Sequence, residues 1–337
     1  MHIAPDRGKT ARQQSVKPPL VLPWDKTQEI PRLERDKVPD LAYFADRMTD
    51  AAPGDRRSQL FREPPFAMLE RFLLGAAWAM KPQRIGGLPG VASVLAHDLL
   101  VRNRELPDPE NALTSPPGLA GVVHNLSVDT LVAAYGRGLY PFSHLPPLKW
   151  WSPPTRSVLL FKDHHIGKTL RSKLKQARYK VTFDRAFEQV IAACAGRRTG
   201  RWHLTWITPR IMRAYTDLFD AGYAHSFEVW NETGDLVAGG YGVAIGASFS
   251  GESQFSIERD TSKIGLSTLH FHLARWGYHF DDGKIITPTT QAFGFQEMPR
   301  ADYLKRLAQA VRAHGKSGRW QAEADLPDVA AWKPGKA

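Results

Sequence analysis

The stretch 224–255 limits the fold more than any other part of this 337-residue chain. "HSFEVW" alternates polar with apolar residues, "NETGD" turns, and "LVAGGYGVAIGASFSGESQFS" reads as consecutive strands with glycine-relaxed pairing. A helix follows over about 262–276, with Leu266, Leu269, Leu273 and Trp276 on one face. Then come a strand over about 279–287, a loop, and a helix over about 301–313. Consecutive strands, a helix and a further strand predict an α+β fold built on a mixed sheet.

The rest of the chain divides by composition. Residues 1–38 are polar, Pro-containing and mixed in charge, which reads as a flexible arm. Residues 39–105 read as a helical accessory extension. Phe66, Leu69, Phe72, Leu73 and Trp78 have helix-like spacing there, and Pro82, Gly86 and Gly87 punctuate it. A Pro-rich connector spans 107–117. Ser127 is the expected N-cap of a helix with Leu131, Ala134, Tyr135 and Leu139 on one face, stopped by Pro141. A strand over 157–161 and a helix over 185–195 follow. Residues 316–337 read as a flexible tail. No internal repeat, P-loop or dinucleotide fingerprint is visible.

Lys and Arg total 45 against 34 Asp and Glu, a formal net charge of +11. Such an excess suits a polyanionic partner, because neutralising phosphates releases counterions. The densest basic run lies over 162–180: Lys162, Lys168, Arg171, Lys173, Lys175, Arg178 and Lys180 against Asp163. Cys194 is the sole cysteine, which excludes a disulfide framework and a Cys-based zinc site and reads as a buried structural thiol. His270 and His272 sit two apart on a helix and point away from each other, so no metal pair is expected. The longest apolar run near the N-terminus, residues 72–80, is too short to span a bilayer. The first residues lack the apolar core of a secretory signal. A cytoplasmic location is the expectation.

Four segments then stand out: "AYGRGLYPFSH…LKWWSPPTRSVL" (134–159), "TWITPRIMRAYTDLFDAGYAHSFEVW" (205–230), "GGYGVAIGASFSGESQFS" (239–256) and "ITPTTQAFGFQEMPRADYL" (286–304). In this order and spacing the chain resembles the leucyl/phenylalanyl-tRNA–protein transferases, from about residue 106 to 307. The resemblance implies a small N-terminal domain, here 106–161, and a GNAT-like catalytic domain, here 162–315. It implies an enzyme that binds aminoacyl-tRNA and moves Leu or Phe, less often Met, to the free N-terminal amine of a protein beginning with Arg or Lys. The product is marked for degradation. Neither metal nor ATP is implied, and no cofactor. The chemistry is coherent without the name: the aminoacyl ester is already activated, and the attacking α-amine has an ordinary pKa of about 7.7–8.0. Alignment and polar groups near the developing charge suffice.

Carried over residue by residue, the resemblance points to Glu252 and Asp282 as acidic site residues and to Lys284 beside them. It points to Trp150, Trp151, Trp206, Phe249, Gln254 and Phe255 around the aminoacyl side chain. For tRNA the candidates are Lys162, Lys168, Arg171, Lys173 and Lys175, with Ser262 and Lys263 at a helix start where free N–H groups favour a phosphate. The chain departs from the family at two of these positions. Lys284 stands where the family has Gln, and Gln254 stands where it has Met. The family's "GGDL" is also "VHNL" at 123–126. These departures leave two alternatives: a paralogue that aminoacylates another amine from charged tRNA, with Lys284 as a base, or an inactive tRNA-binding protein. A CoA-dependent acyltransferase would need a Gly-rich pyrophosphate loop that "IERDTSKIG" does not supply.

Overall fold

Hydrogen bonding sorts the strands into two sheets. The structure, a computed structural model, describes residues 53–101, 104–197 and 204–335. The expected flexible arm therefore lies outside the described residues. The large sheet has seven strands in the order β10-β4-β9-β8-β7-β6-β5. Its members are β4 (Thr155–Leu159), β5 (Lys180–Phe183), β6 (Ala224–Trp230), β7 (Leu236–Ile245), β8 (Ser248–Ser256), β9 (Phe280–Lys284) and β10 (Gln296–Pro299). The pairings are antiparallel except for β8 with β9, which are parallel. A parallel pair needs a long crossover, and the helix Thr261–Arg275 supplies it. The consecutive strands read from the sequence, the crossover helix and the following strand are all present.

Strand β8 is irregular at one residue. Tyr241 pairs with Ser253, yet the next residue, Gly242, pairs with Gly251. Glu252 is thus an extra residue on β8, a β-bulge, and the alternation of side chains changes phase there. Before it Phe249 joins the core on one face of the sheet; after it Phe255 joins the core on the other.

Each face carries its own core. On the first face, Tyr241, Val243 and Phe255 pack with α5 (Val128–Gly136), α7 (Phe187–Ala195) and α8 (Pro209–Asp220) through Tyr135, Val190, Ile191, Tyr215 and Leu218. On the second face, Phe227, Val229 and Phe249 pack with α6 (Lys168–Gln176) and the crossover helix, α9, through Leu174, Ile264, Leu269 and Leu273. All ten residues of β7 are buried, as a strand covered on both sides requires. Burying each such Leu or Phe is worth about 1.5–3 kcal/mol. A smaller core of Val158, Phe280, Tyr303 and Leu307 lies under α11 (Arg300–Arg312), which follows the short α10 (Pro288–Ala292).

The small sheet, β1-β3-β2, consists of β1 (Leu119–Val122), β2 (Tyr140–Phe142) and β3 (Lys149–Trp151). Ser127 caps α5 as expected, accepting from the Thr130 N–H. Pro141 does not end that helix: α5 stops at Gly136, and Pro141 sits within β2. The extension forms helices α1 (Pro53–Leu60), α2 (Pro65–Ala79), α3 (Pro82–Ile85) and α4 (Leu88–Val101). Its apolar stripe faces outward, with Phe66 74% and Leu73 58% exposed. The extension is held elsewhere. Phe61 is buried in the first core, and Arg57 binds Glu188 and Asp220 at 2.7 Å each. Gly75, the one buried residue of α2, meets the His144 carbonyl so closely that a Cβ would lie 2.3 Å from its oxygen.

The expected flexible tail over 316–337 is ordered through 335. Trp320 is fully buried and stacks on His225, with ring centroids 3.6 Å apart. Its N–H donates to Asp184 at 2.7 Å. Leu326 and Val329 then bury one side of α12 (Leu326–Ala331) in the second core. These three apolar residues override the polar composition of the segment.

Candidate functional site

The bulge at Glu252 and the end of β9 lie side by side, because Ser250 pairs with Asp282 in the parallel register. Glu252, Asp282 and Lys284, expected from the sequence as a group, come together here. Lys284 folds its side chain back along β8. Its Nζ donates to Glu252 Oε1 at 2.7 Å and to the Gly251 carbonyl at 2.6 Å. The ammonium also faces the rings of Tyr140 and Tyr135, at 5.4 and 5.9 Å. The Lys284 backbone is left-handed (φ 61°), a region that costs a non-glycine residue about 1–2 kcal/mol. Its own N–H compensates by donating to Asp282 Oδ1 at 2.9 Å. That turn ends β9 at Lys284, short of the expected 287.

The Glu252 side chain is 1% exposed and is reached from two helices. Tyr135 of α5 donates its only hydroxyl proton to Glu252 Oε1 at 2.5 Å, so the Tyr215 hydroxyl of α8 is the donor in its short bond to Tyr135. The result is a line of donors, Tyr215 to Tyr135 to Glu252. Burial pushes the Glu252 carboxyl above its ordinary pKa, although Lys284 and Tyr135 pull the other way. Burial, and then the Glu252 charge, lift both tyrosines well above theirs, which keeps them protonated donors.

Asp282 is a different kind of carboxylate. Arg156 of β4, 1% exposed, binds it through Nε at 3.2 Å and through Nη2. Ser250 and Tyr303 donate to its Oδ2 at 2.9 and 3.1 Å. Burial opposes its ionisation, but Arg156 wins and holds it below the usual carboxylate range. Asp281, one residue earlier, points to the other face, where His270 Nε2 lies 2.8 Å away. Burial, reinforced by the Asp282 charge, lifts Asp281 to about 7, and burial lowers His270 to about 3. The histidine is therefore neutral. Its Nδ1 is buried without a partner, so the proton sits on Nε2 and is donated to Asp281. His272 is likewise buried, 2.7 Å from the Thr268 carbonyl. Among the described residues no group of three or more His, Cys, Asp and Glu is placed to hold a metal.

The expected apolar pocket is only partly assembled. Trp150 and Phe255 belong to the first core, and Trp151 and Trp206 pack against it. Trp206 lies 6.2 Å from Tyr215 and 5.7 Å from Phe142. Trp151 donates its indole N–H to the Phe142 carbonyl at 2.8 Å. Phe249 and Gln254 do not join them. The bulge sends Phe249 into the second core, 5.9 Å from Trp320. It pairs Gln254 with Gly240, on the face where the Phe227 ring lies. A polar residue in the family's Met position thus falls on the face opposite Glu252.

The basic run also lies on the second face, since α6 packs against α9 and α12. Several of its cations serve the fold. Arg171 donates to the Ala330 and Trp332 carbonyls. Lys173 and Lys263 both hold Asp260 at 2.8 Å. That carboxylate, drawn down to about 2 by their hydrogen bonds, sits at the start of α9, beside Ser262. An internal anion thus occupies the neighbourhood expected to receive a phosphate. Lys162, Lys168 and Lys175 are exposed.

Sequence reasoning missed Tyr215, Arg156, Ser250, Tyr303 and the Asp281–His270 pair. Arg156 left a faint signal, a charge at a position whose neighbour two residues on, Val158, is apolar in a short strand. Tyr135 was visible as a buried helix face, but not as a hydroxyl donor. Two open surface cavities, of about 420 and 470 Å³, lie at 180–185 with 319–322 and at 220–225 with 315–319. Neither includes a residue of this cluster.

Comparison with known proteins follows the same division of the chain. The profile of the leucyl/phenylalanyl-tRNA protein transferase family matches residues 158–308, and that of its N-terminal domain matches residues 124–154. The leucyl/phenylalanyl-tRNA–protein transferase of Thiobacillus denitrificans is 42% identical over 215 residues, covering 64% of this chain and 93% of that one. Its counterpart from an Anaeromyxobacter strain is 40% identical over 227 residues, covering 67% and 95%. Among solved structures, L-PGS from Bacillus licheniformis aligns at 12% identity over 44% of this chain and 47% of that one. Its TM-score of 0.29 is too low to argue from.

Proposed function

The chain belongs to the leucyl/phenylalanyl-tRNA–protein transferase family, and from that premise we propose how its site works. The protein is an aminoacyltransferase that moves an amino acid from charged tRNA to the N-terminal amine of a protein. The reading of the site is carried by one observation: Lys284, Glu252, Tyr135 and Tyr215 meet at hydrogen-bond distance at the β8 bulge, within the matched residues.

In the reaction the α-amine attacks the ester carbonyl carbon. A C–N bond forms, the C–O bond to the ribose breaks, and a proton from the amine is balanced by one taken up on the departing ribose oxygen. The Lys284 ammonium, fixed by Glu252 and the Gly251 carbonyl, is a preorganised positive charge for the oxygen on which negative charge develops. Glu252, held by Lys284 and Tyr135, is the carboxyl placed to receive an amine N–H. Asp282 and Arg156 are positioning residues: they hold the turn that aims Lys284. Trp150, Trp151, Trp206 and Phe255 supply the apolar wall for a Leu- or Phe-type side chain. Lys162, Lys168 and Lys175 meet the body of the tRNA.

The finer fold reading is GNAT-like, supported by the single parallel pair β8–β9 joined through α9 in an otherwise antiparallel sheet. A cytoplasmic location goes with a tRNA donor, and no helix among the described residues is long and apolar enough to cross a membrane. The experiment offers labelled Leu-, Phe- and Met-tRNA to the full chain with peptides that differ at residue 1. Label in a peptide supports the reading. Binding of charged tRNA without transfer to any peptide overturns it and leaves an inactive tRNA-binding protein.

A further inference from the structure

The helices over 53–101 precede residue 124, where the family profiles begin. One of them, α2, nevertheless leans on the loop that joins β2 to β3. Gly75 lets it do so: the α2 backbone comes so near the His144 carbonyl that any larger residue would collide with it. Trp78, three residues on, meets the His144 ring edge to face, with centroids 4.8 Å apart. The Arg84 guanidinium lies over the Trp78 ring at 3.4 Å. The loop is held from within as well. Lys149 Nζ donates to Ser143 Oγ and to the carbonyls of Leu145 and Pro147, at 3.2, 3.0 and 2.7 Å.

The contact continues inward to the apolar wall. The His144 ring meets Phe142 edge to face at 4.9 Å. Phe142 touches both half-buried indoles of the wall: its carbonyl accepts the Trp151 N–H at 2.8 Å, and its ring lies 5.7 Å from that of Trp206. Trp206 stands 6.2 Å from Tyr215, the first donor in the line to Glu252. Burial pulls His144 down to about 4, so the link is a neutral ring that transmits packing rather than charge. Resting on the transferase reading above, we propose that Trp78 is a positioning residue: through His144 and Phe142 it holds the two indoles against which the donor's side chain is sorted. Close-packed rings have few alternative arrangements, and emptying one place lets the others relax. A donor with a ring of its own needs oriented contacts and loses more than an aliphatic one.

The test uses the full chain, labelled Phe-tRNA and Leu-tRNA, and one peptide acceptor. In Trp78→Ala the Phe-to-Leu ratio of kcat/KM should fall at least fivefold, and Trp78→Phe should recover most of that loss. Gly75→Ala, which forces α2 and the loop apart, should lower the ratio in the same sense. Leu73→Ser, on the outward stripe of α2, should leave it at the wild-type value. Loss of folded protein alone scales both donors equally. An unchanged or raised ratio in folded Trp78→Ala or Gly75→Ala therefore overturns the inference and leaves the transferase reading intact. A parallel loss of affinity for uncharged tRNA overturns it too, because the extension is then an RNA-binding element. If both variants melt below the assay temperature, the extension is a stability element and the inference falls as well. Failure of the wild type to label any peptide removes the transferase reading instead, and the inference with it.

Discussion

Asp281 and Asp282 are neighbours in sequence, and both are buried, yet they lead opposite electrostatic lives. Asp282 faces the first side of the sheet, where Arg156 sits against it and keeps it ionised. Asp281 faces the second, where its companions are a neutral His270 and the Gly251 N–H, and its pKa climbs to about 7. His164, stacked between Phe293 and Trp332 on that same side, is driven by burial to about 2. One face therefore sets Asp282 and Glu252 against the cations Arg156 and Lys284. The other buries Asp281, His270 and His164 among aromatic rings, where burial disfavours the charged form of each. For these two neighbours burial pushes the same way, and the guanidinium bonded to one and absent from the other makes the difference.

The strongest way to break this contrast is to remove the cation. Arg156→Met should destabilise the fold by about 3–5 kcal/mol, because it leaves Asp282 buried and uncompensated. Arg156→Met with Asp282→Asn should recover much of that loss. Denaturant melts decide, and a mild effect of the single variant would mean that Asp282 is not held charged by Arg156. On the same face, Glu252→Gln removes the carboxylate that fixes Lys284. Transfer should fall by about 10²-fold or more, read on variant protein whose melt shows it folded. A variant of full activity would detach the cluster from the chemistry.

The second face sharpens the contrast through pH. The folded protein holds the Asp281 proton up to about 7, whereas the unfolded chain releases it near the ordinary 3.8. This group therefore contributes stability at low pH that is lost as pH rises from about 4 to about 7. His270, lowered to about 3, runs the other way, and its contribution grows as pH rises from about 3 to about 6.5. Asp281→Asn keeps the second trend and loses the first. The stability gap between wild type and variant should accordingly narrow from pH 4.5 to pH 7.5, and a constant gap would show Asp281 to be ionised throughout. The smallest effect belongs to the surface of that face. Replacing Lys162, Lys168 or Lys175 with Ala should change stability by no more than about 0.5 kcal/mol. Each lysine that meets a tRNA phosphate should lower the salt slope of tRNA binding by about 1.

Local pattern made much of this fold legible. The strand run after 224, the crossover helix and the Ser127 cap depend on neighbours in sequence, and they appear where the sequence puts them. Glu252, Asp282 and Lys284 were found together through their motifs. What stayed hidden depends on distant partners. A bulge is a property of two strands, so the phase change at Glu252 that removes Phe249 and Gln254 from the pocket cannot be counted from β8 alone. The basic run looked like an open track because the partner of Lys173, Asp260, lies 87 residues further along. The tail looked loose because the histidine under Trp320 comes 95 residues earlier, 320 minus 225.

The surplus residue in β8 also constrains how this protein can be altered. Deleting Glu252 would let Gly251 and Ser253 face consecutive partners on β7 and leave Phe255 opposite Gly239, so the strand would become regular and lose only its carboxylate. A lineage or an engineer can therefore shorten this strand by one and keep the sheet, but only by giving up the residue that the kink exists to present. Whoever transplants the carboxylate must carry the kink and its facing Gly242 along with it.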